Sequence, residues 1–346
     1  MNIKKWLLCT FLVLFPLTSC ESLDSKSDSD ISSNSFSTQD IQSDVEEPIC
    51  SGLWFVSNGD GICTVCGEYE GEPVDVVIPE TSSSGDKVTS LTRFNGTVRS
   101  VTLPNSVTEI KASCFEGIET LESITFSDNL YCIGDCAFRD CVRLSSVKIP
   151  ASVMEIGDYV FRGCDNLFSV YFDSDSELKA LGYGMFYDCV NLAVVKDFPT
   201  QLEKLSAYAF YNCRCLEKFI FQDGVKEVGD YCFYGCVSLA EAKFLDNLET
   251  VGDCAFMYCE SLSKIIFGDT TKSLGENVCF NTNLQAMFLP ASLETIKGHL
   301  VEQGKRVFTF YCEPQEEPGN WNLRSHAYSY SIYWGATLDI VDWTLK

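Results

Sequence analysis

Cysteine is the residue type with the greatest chemical potential in this chain, which has 19 cysteines and only two histidines among 346 residues. Cys63-Thr64-Val65-Cys66 has the C-x-x-C spacing of a redox dithiol or of half a zinc site. No second pair lies at zinc-finger spacing, and nothing around the pair resembles a thioredoxin unit. An incidental pair or a local disulfide is the competing interpretation, and we predict neither a metal nor a cofactor.

Other residues that commonly carry catalysis or bind metals are sparse. Asp173, Asp175 and Glu177 alternate as calcium ligands can, but the glycine and the closing glutamate of a calcium loop are missing, so a solvated loop is expected. His299 and His326 belong to no recognisable triad or metal motif. The chain also lacks a phosphate-binding loop and a nucleophile elbow. The sequence therefore predicts a protein that is not an enzyme.

The first twenty residues indicate export. Lys4 and Lys5 precede a short apolar run, Trp6 to Phe15, which is too short to span a bilayer. The following Leu17-Thr18-Ser19-Cys20 resembles the lipobox of bacterial lipoproteins, in which the cysteine is lipidated and becomes the new N-terminus. The resemblance implies a signal peptide at 1–19, lipidation of Cys20 and anchoring in the cell envelope, with the body exposed at the surface. A plain secretory signal is the alternative.

Composition separates a tether from a folded body. Residues 20–48 are rich in serine and acidic residues and poor in large apolar ones, which predicts a disordered acidic tether. The whole chain is 46% hydrophobic, ample for a sizeable core. Its formal charge is −24, with 49 acidic against 25 basic residues. This balance excludes nucleic acid as a partner, because phosphate binding depends on lysine and arginine.

From about Val101 the sequence repeats with a phenylalanine as marker, at intervals of 23 to 25 residues. The eight markers are Phe115, Phe138, Phe161, Phe186, Phe210, Phe233, Phe256 and Phe280. An apolar run follows each marker, for example Leu121, Ile124 and Phe126, whose alternation predicts a short strand. A second apolar pair comes before the next marker and is commonly followed by Gly-Asp, where we expect the glycine to permit a turn.

One such unit cannot bury its own apolar face, whereas stacked units bury a continuous one. We therefore predict a leucine-rich-repeat solenoid, a β-rich curved superhelix with a parallel sheet on its concave face and short turns or helical pieces on the convex side. The marker phenylalanines should stack as an internal ladder. The predicted divisions are an N-terminal cap with a degenerate repeat at 49–100, about eight repeats at 101–298, and a C-terminal cap at 299–346.

The repeat motif resembles that of the BspA-like class of bacterial leucine-rich-repeat proteins, A-F-x-x-C-x-x-L followed by a strand. The segments 136–144 (CAFRDCVRL) and 255–262 (AFMYCESL) match it closely. The resemblance implies a surface-exposed protein that takes part in adhesion to host proteins or to other cells. It transfers no individual ligand residue, because the motif defines scaffold positions only.

Six cysteines occupy one repeated position, three residues after a marker. They are Cys141, Cys164, Cys189, Cys213, Cys236 and Cys259. Stacking should place them in a column, at a spacing that permits disulfides between neighbours. We expect mostly free, buried thiols that act as small hydrophobic groups, because each member faces two equivalent neighbours.

Residues on either side of each strand's middle position should line the concave face, where solenoids bind partners. The predicted binding residues are Lys148, Tyr171, Lys196, Lys218, Ile220, Lys243, Lys264, Ile266 and Phe288. This mixture of lysines and apolar groups fits a protein or an anionic glycan as ligand, with the membrane contacted only through the lipid. A merely solvated face is the competing interpretation. The alternative function is that of a structural envelope protein or the recognition subunit of a surface assembly.

Overall fold

The computed structural model describes residues 52–220, 224–244, 247–301, 308–319, 321 and 330–336. Within these ranges the chain forms 21 strands and no helix, and hence no helix that could cross a membrane. The predicted signal peptide, Cys20 and the tether lie outside the described residues.

The strands are short and follow one another at regular intervals. In chain order they are β1 (Leu53–Gly59), β2 (Ile62–Val77), β3 (Lys87–Thr102), β4 (Glu109–Ile110), β5 (Ser123–Thr125), β6 (Cys132–Ile133), β7 (Ser146–Ile149), β8 (Glu155–Ile156), β9 (Ser169–Phe172), β10 (Val194–Lys196), β11 (Lys204–Leu205), β12 (Lys218–Ile220), β13 (Glu227–Val228), β14 (Glu241–Lys243), β15 (Thr250–Val251), β16 (Lys264–Ile266), β17 (Ser273–Leu274), β18 (Ala286–Leu289), β19 (Thr295–Ile296), β20 (Phe308–Cys312) and β21 (Tyr330–Trp334).

These strands form two parallel ladders on a solenoid of about 11 turns, which confirms the predicted repeat fold. The first ladder consists of β5, β7, β9, β10, β12, β14, β16, β18, β20 and β21. The first eight are the strands predicted from the apolar run, and β20 and β21 continue the ladder into the segment predicted as the C-terminal cap. Hydrogen bonds join these strands in the groups β7–β9–β10, β12–β14–β16 and β18–β20–β21, while β5 pairs with β3. The second ladder consists of the two-residue strands β4, β6, β8, β11, β13, β15, β17 and β19, each of which contains the second residue of the second apolar pair of its unit, such as Ile156 in β8 or Val251 in β15. In the described ranges turns connect the two ladders, and these connections contain no helical piece.

The stack extends past both ends of the segment 101–298. At the N-terminal end β1 pairs with β2 in antiparallel fashion, while β2 already runs parallel to β3, which pairs with both β4 and β5. At the other end β18 pairs with β20 and β20 with β21, both in parallel. The segments predicted as caps therefore contribute coils of their own, and β1 is the element that departs from the parallel pattern.

The phenylalanine ladder is present, but its register differs from the prediction at both ends. The stacked rings are Phe94, Phe115, Phe138, Phe161, Phe186, Phe210, Phe233 and Phe256, with neighbouring centroids 4.8 to 5.7 Å apart. Phe280 is only half-buried, and the buried Cys279 takes the next place in the column. The backbone shows the shift, because the Phe256 N–H donates to the Val278 carbonyl. The Phe233 N–H makes the same bond to the Ala255 carbonyl.

The glycine of the Gly-Asp motif serves a different purpose from the predicted one. A Cβ atom on Gly229 would lie 2.4 Å from the Ala207 nitrogen of the preceding coil. The glycine is therefore required because stacked coils approach closely at this point. The adjacent aspartate joins the coils: Asp230 Oδ1 accepts a hydrogen bond of 2.7 Å from the Asp253 N–H.

Candidate functional site

The outward face of the first ladder displays most of the predicted binding residues. Lys148, Lys196, Lys218 and Lys243 are exposed, Lys264 is half-buried, and Tyr171 is 36% exposed. Alternation along each strand explains this placement, because the middle residue of a strand such as β14 points into the core and its two neighbours point outward. The side chain of Ile220 lies outside the described residues.

Two of the predicted residues do not belong to an exposed face. Ile266 is 7% exposed and Phe288 only 2%, and all four residues of β18 are buried. The prediction that both offer apolar surface is therefore wrong. The sequence held a signal for this outcome, since Ala286-Met287-Phe288-Leu289 is a continuous apolar run, and such runs are typical of strands buried on both faces.

An exposed aromatic residue next to the face escaped the sequence analysis. Phe168 immediately precedes β9 and is 55% exposed. Its backbone is held in the ladder, because its N–H donates to the Ser145 carbonyl at 2.9 Å and its carbonyl accepts the Val194 N–H at 3.1 Å. Ser145, Ala193, Glu217 and Ala240 hold the equivalent place in other coils. A large apolar side chain at this small or polar position was the available signal.

The lysines of the face differ in their ion pairs. Lys148 Nζ lies 3.3 Å from Asp173 Oδ2, and Lys264 Nζ lies 3.3 Å from Glu241 Oε1. Lys196, Lys218 and Lys243 form no ion pair with any residue that the structure describes. The middle of the first ladder therefore presents three exposed ammonium groups that no neighbouring carboxylate neutralises within the described ranges.

The second ladder and the residues that immediately precede its strands hold three lysine–glutamate ion pairs. The clearest column of charges alternates in sign, and in each step the backbone N–H of one member donates to the carbonyl of the previous one at 2.8 Å. The column consists of Lys179, Glu203, Lys226, Glu249, Lys272 and Glu294. Lys226 lies 3.2 Å from Glu203, and Lys272 lies 2.7 Å from Glu249, whose carboxyl pKa is lowered by this hydrogen bond. Nearby, Lys204 pairs with Glu227 at 2.9 Å.

The cysteine column is structural. In six successive coils the thiol donates to the carbonyl of the marker phenylalanine of the preceding coil, over 3.0 to 3.2 Å. Burial raises the pKa of these thiols, as in Cys213 and Cys259, and so suppresses the reactive thiolate. The six cysteines of the column are free thiols.

The other chemical candidates are not assembled into a site. Cys63 and Cys66 lie three residues apart on β2, so they point to opposite faces, and their thiols approach different carbonyls, Asp86 at 3.6 Å and Trp54 at 3.8 Å. Asp173 forms an ion pair with Lys148, and Asp175 is exposed. Among the residues that the structure describes, no group of three or more potential ligands could hold a metal ion. His299 is half-buried, and His326 lies outside the described residues.

A strip of tyrosines along the turns also went unnoticed in the sequence. Its members are Tyr159, Tyr183, Tyr187, Tyr208, Tyr211, Tyr231, Tyr234 and Tyr258, all half-buried. The rings of Tyr187 and Tyr211 stack at 4.4 Å, and those of Tyr211 and Tyr234 at 4.7 Å. The Arg162 guanidinium lies 5.0 Å from the Tyr187 ring centroid. Neighbouring rings of the strip contact one another, some stacked and some edge-on, so we infer that the strip stiffens the turns.

Comparison with known proteins agrees with this architecture. Residues 93–213 and 179–305 match a family model described as the BspA type leucine rich repeat region, in six copies. The two ranges together cover more than half of the chain. The chain belongs to the BspA type leucine rich repeat family. No curated protein matches it.

Several solved structures are similar to this BspA type chain. A leucine rich cell surface protein from Faecalibacterium prausnitzii is 20% identical with a TM-score of 0.45, over 86% of this chain and 96% of that one. A leucine-rich repeat protein from Bacteroides ovatus is 19% identical with a TM-score of 0.43, over 84% and 100% of the two chains. The pneumococcal vaccine antigen PcpA is 16% identical with a TM-score of 0.45, over 85% and 99%.

Proposed function

We propose that this protein is a lipid-anchored, cell-surface binding protein that adheres to an anionic macromolecule of a host or neighbouring cell through the outward face of the first ladder. The observation that supports the proposal is the contrast between the two ladders. Three lysines on or beside the second ladder, Lys204, Lys226 and Lys272, form ion pairs with glutamates. Lys196, Lys218 and Lys243, in contrast, are exposed without an ion pair in the described ranges. Such lysines attract and orient an anionic partner.

Family membership supports binding over catalysis. BspA type repeats build a solenoid, and solenoids expose long continuous surfaces that suit macromolecular ligands. The Leu17-Thr18-Ser19-Cys20 motif supports export and lipidation, and the acidic stretch that follows would hold the solenoid away from the membrane surface. The ligand class is a protein or an anionic glycan, as the mixture of lysine and aromatic side chains on the face indicates.

The test measures binding of the purified, fluorescently labelled protein to intact host and neighbouring cells. The variant carries Lys196→Glu, Lys218→Glu and Lys243→Glu together. We expect its binding to weaken about 10- to 100-fold, because the binding free energy loses three exposed ion pairs and gains repulsion between the new glutamates and the anionic ligand. The matched control carries Lys87→Glu, Lys179→Glu and Lys297→Glu, the same change of charge at exposed sites away from the face.

Thermal unfolding of both triple variants verifies that each is folded. Equal loss of binding in the two variants would show that net charge alone matters, and the face would then have no special role. Binding confined to envelope preparations of the producing cell would instead favour the structural or assembly function.

A further inference from the structure

The lysines of the first ladder form a zigzag row along the solenoid axis. The strands β10, β12, β14 and β16 each carry one outward lysine, namely Lys196, Lys218, Lys243 and Lys264. Lys218 and Lys264 precede the middle residue of their strands, in register with Glu241. Lys196 and Lys243 follow the middle residue of theirs. Positive charges therefore alternate between the two sides of the strand centres from one coil to the next.

The phenylalanine rings beneath this row show how far apart successive coils lie along the solenoid axis. The ring centroids of Phe186, Phe210, Phe233 and Phe256, the markers of the same four coils, are 5.3, 5.2 and 5.2 Å apart. The strands β12, β14 and β16 pair directly, so these coils advance by about one strand spacing, roughly 4.8 Å, whereas β10 and β12 are not hydrogen-bonded to each other and their step is given by the core rings alone. A ligand that follows the row needs one anionic group per step of this size, on alternating sides.

A linear polysaccharide of uronic acids joined by diequatorial 1,4-linkages has this geometry. It is an extended ribbon in which each sugar is turned over relative to the last, so its carboxylates alternate between two edges, and one sugar advances by nearly one strand spacing. An extended acidic peptide fits the row less well, because its side chains on one edge recur about every 6.6 to 6.8 Å, whereas lysines on one side of the row recur every second coil, about 9.6 Å apart.

We propose that the zigzag row binds an anionic ribbon polysaccharide that runs along the solenoid axis, across the strands. This inference rests on the proposed function and specifies its ligand class. The ligand's carboxylates meet the lysines one per coil, and the strength of the contact depends on how many coils the ligand spans.

An aromatic pair extends the row at its N-terminal end. Tyr171 lies in register between Lys148 and Lys196 and is 36% exposed, and the 55% exposed Phe168 precedes it on the same coil. The apolar C–H faces of sugar rings pack against aromatic rings of this kind. Lys148, in contrast, is held by Asp173 at 3.3 Å and contributes less charge to the ligand.

Glu241 interrupts the row. It lies in register between Lys218 and Lys264, and its carboxylate is 3.3 Å from the Lys264 ammonium. The carboxylate repels an anionic ligand and neutralises one of the four lysines. Replacing it by an uncharged side chain should therefore strengthen binding, an effect that a purely structural face would not produce.

The experiment titrates the whole protein with β-1,4-linked mannuronate oligomers of two to eight sugars at low ionic strength. We expect affinity to rise with length up to about four or five sugars, one per lysine, and then to level off. Glu241→Gln should strengthen binding about two- to fivefold and Lys218→Gln should weaken it by a similar factor, the range of an exposed ion pair. Glu249→Gln on the second ladder is the matched control and should leave affinity unchanged.

Two comparison ligands separate the possible outcomes. Uncharged β-1,4-linked mannose oligomers should bind at least tenfold more weakly. If poly-L-glutamate of the same charge binds as tightly as the mannuronate, or if Glu241→Gln has no effect, the polysaccharide inference is overturned while lysine-dependent binding to cells still supports the proposed function. If the Lys196, Lys218 and Lys243 triple variant binds cells as the unmodified protein does, the proposed function itself fails.

Discussion

Truncating the ring of Phe186 to alanine should remove a large part of the stability of the solenoid. This ring is fully buried and lies between Phe161 at 5.7 Å and Phe210 at 5.3 Å. Loss of a buried phenylalanine costs about 3 to 5 kcal/mol, and two lost ring contacts add about 0.5 to 1.5 kcal/mol each. We expect the free energy of unfolding to fall by about 4 to 8 kcal/mol, measured by urea denaturation followed by circular dichroism.

The matched control is Phe280→Ala, which removes the same side chain from a half-buried position outside the ring column. We expect it to cost about 1 to 3 kcal/mol, less than Phe186→Ala, because part of the Phe280 ring stays exposed to water in the folded protein. Equal destabilisation by the two substitutions would mean that Phe280 belongs to the column after all, and the register described for the last coils would be refuted.

Three further predictions concern coil packing, thiols and export. Gly229→Ala should lower the free energy of unfolding by about 1 to 3 kcal/mol, because its Cβ would meet the preceding coil, whereas Gly319→Ala, with open space around it, should have little effect in the same denaturation assay. Burial raises the pKa of Cys236, so the folded state keeps this thiol protonated. The free energy of unfolding should be unaffected well below the ordinary thiol pKa of 9.0 and should decline above it, by about 1.4 kcal/mol per pH unit for each such thiol. Cys236→Ala should reduce that slope. Cys20→Ser should abolish incorporation of an alkyne-labelled fatty acid in growing bacteria and release the protein from membranes, and persistent labelling would exclude Cys20 as the acceptor.

Much of the fold can be predicted from the sequence because each unit has the same apolar face to bury. The phenylalanine interval and the alternating run predict one strand and one core ring for each unit. The structure confirms the strands and seven of the eight predicted rings, with Phe280 as the exception. The register near Phe280 could not be obtained in this way. The repeat pattern points to Phe280, which lies 24 residues after Phe256. In the structure Cys279, 23 residues after Phe256, is the residue that is buried in the column.

The candidate site was only partly predictable, because exposure depends on what lies above a residue as well as on strand alternation. Alternation placed Lys196 and Lys243 outward, as observed, but it also placed Phe288 outward, where the structure buries it. The ion pairs could not be predicted from the sequence, for a different reason. The partners are joined across coils, as Lys148 and Asp173 are, and the choice among several nearby carboxylates is made by side-chain geometry.

The alternating column of the second ladder restricts how this gene can change its number of repeats. If recombination deleted the coil of Lys226, Glu203 would come to lie beside Glu249, and two like charges would face each other where an ion pair now stands. Removing two consecutive coils would instead restore opposite signs at the junction. In this half of the protein, repeats should therefore be lost or duplicated in pairs during evolution, and variants of even difference in length should be the ones that persist.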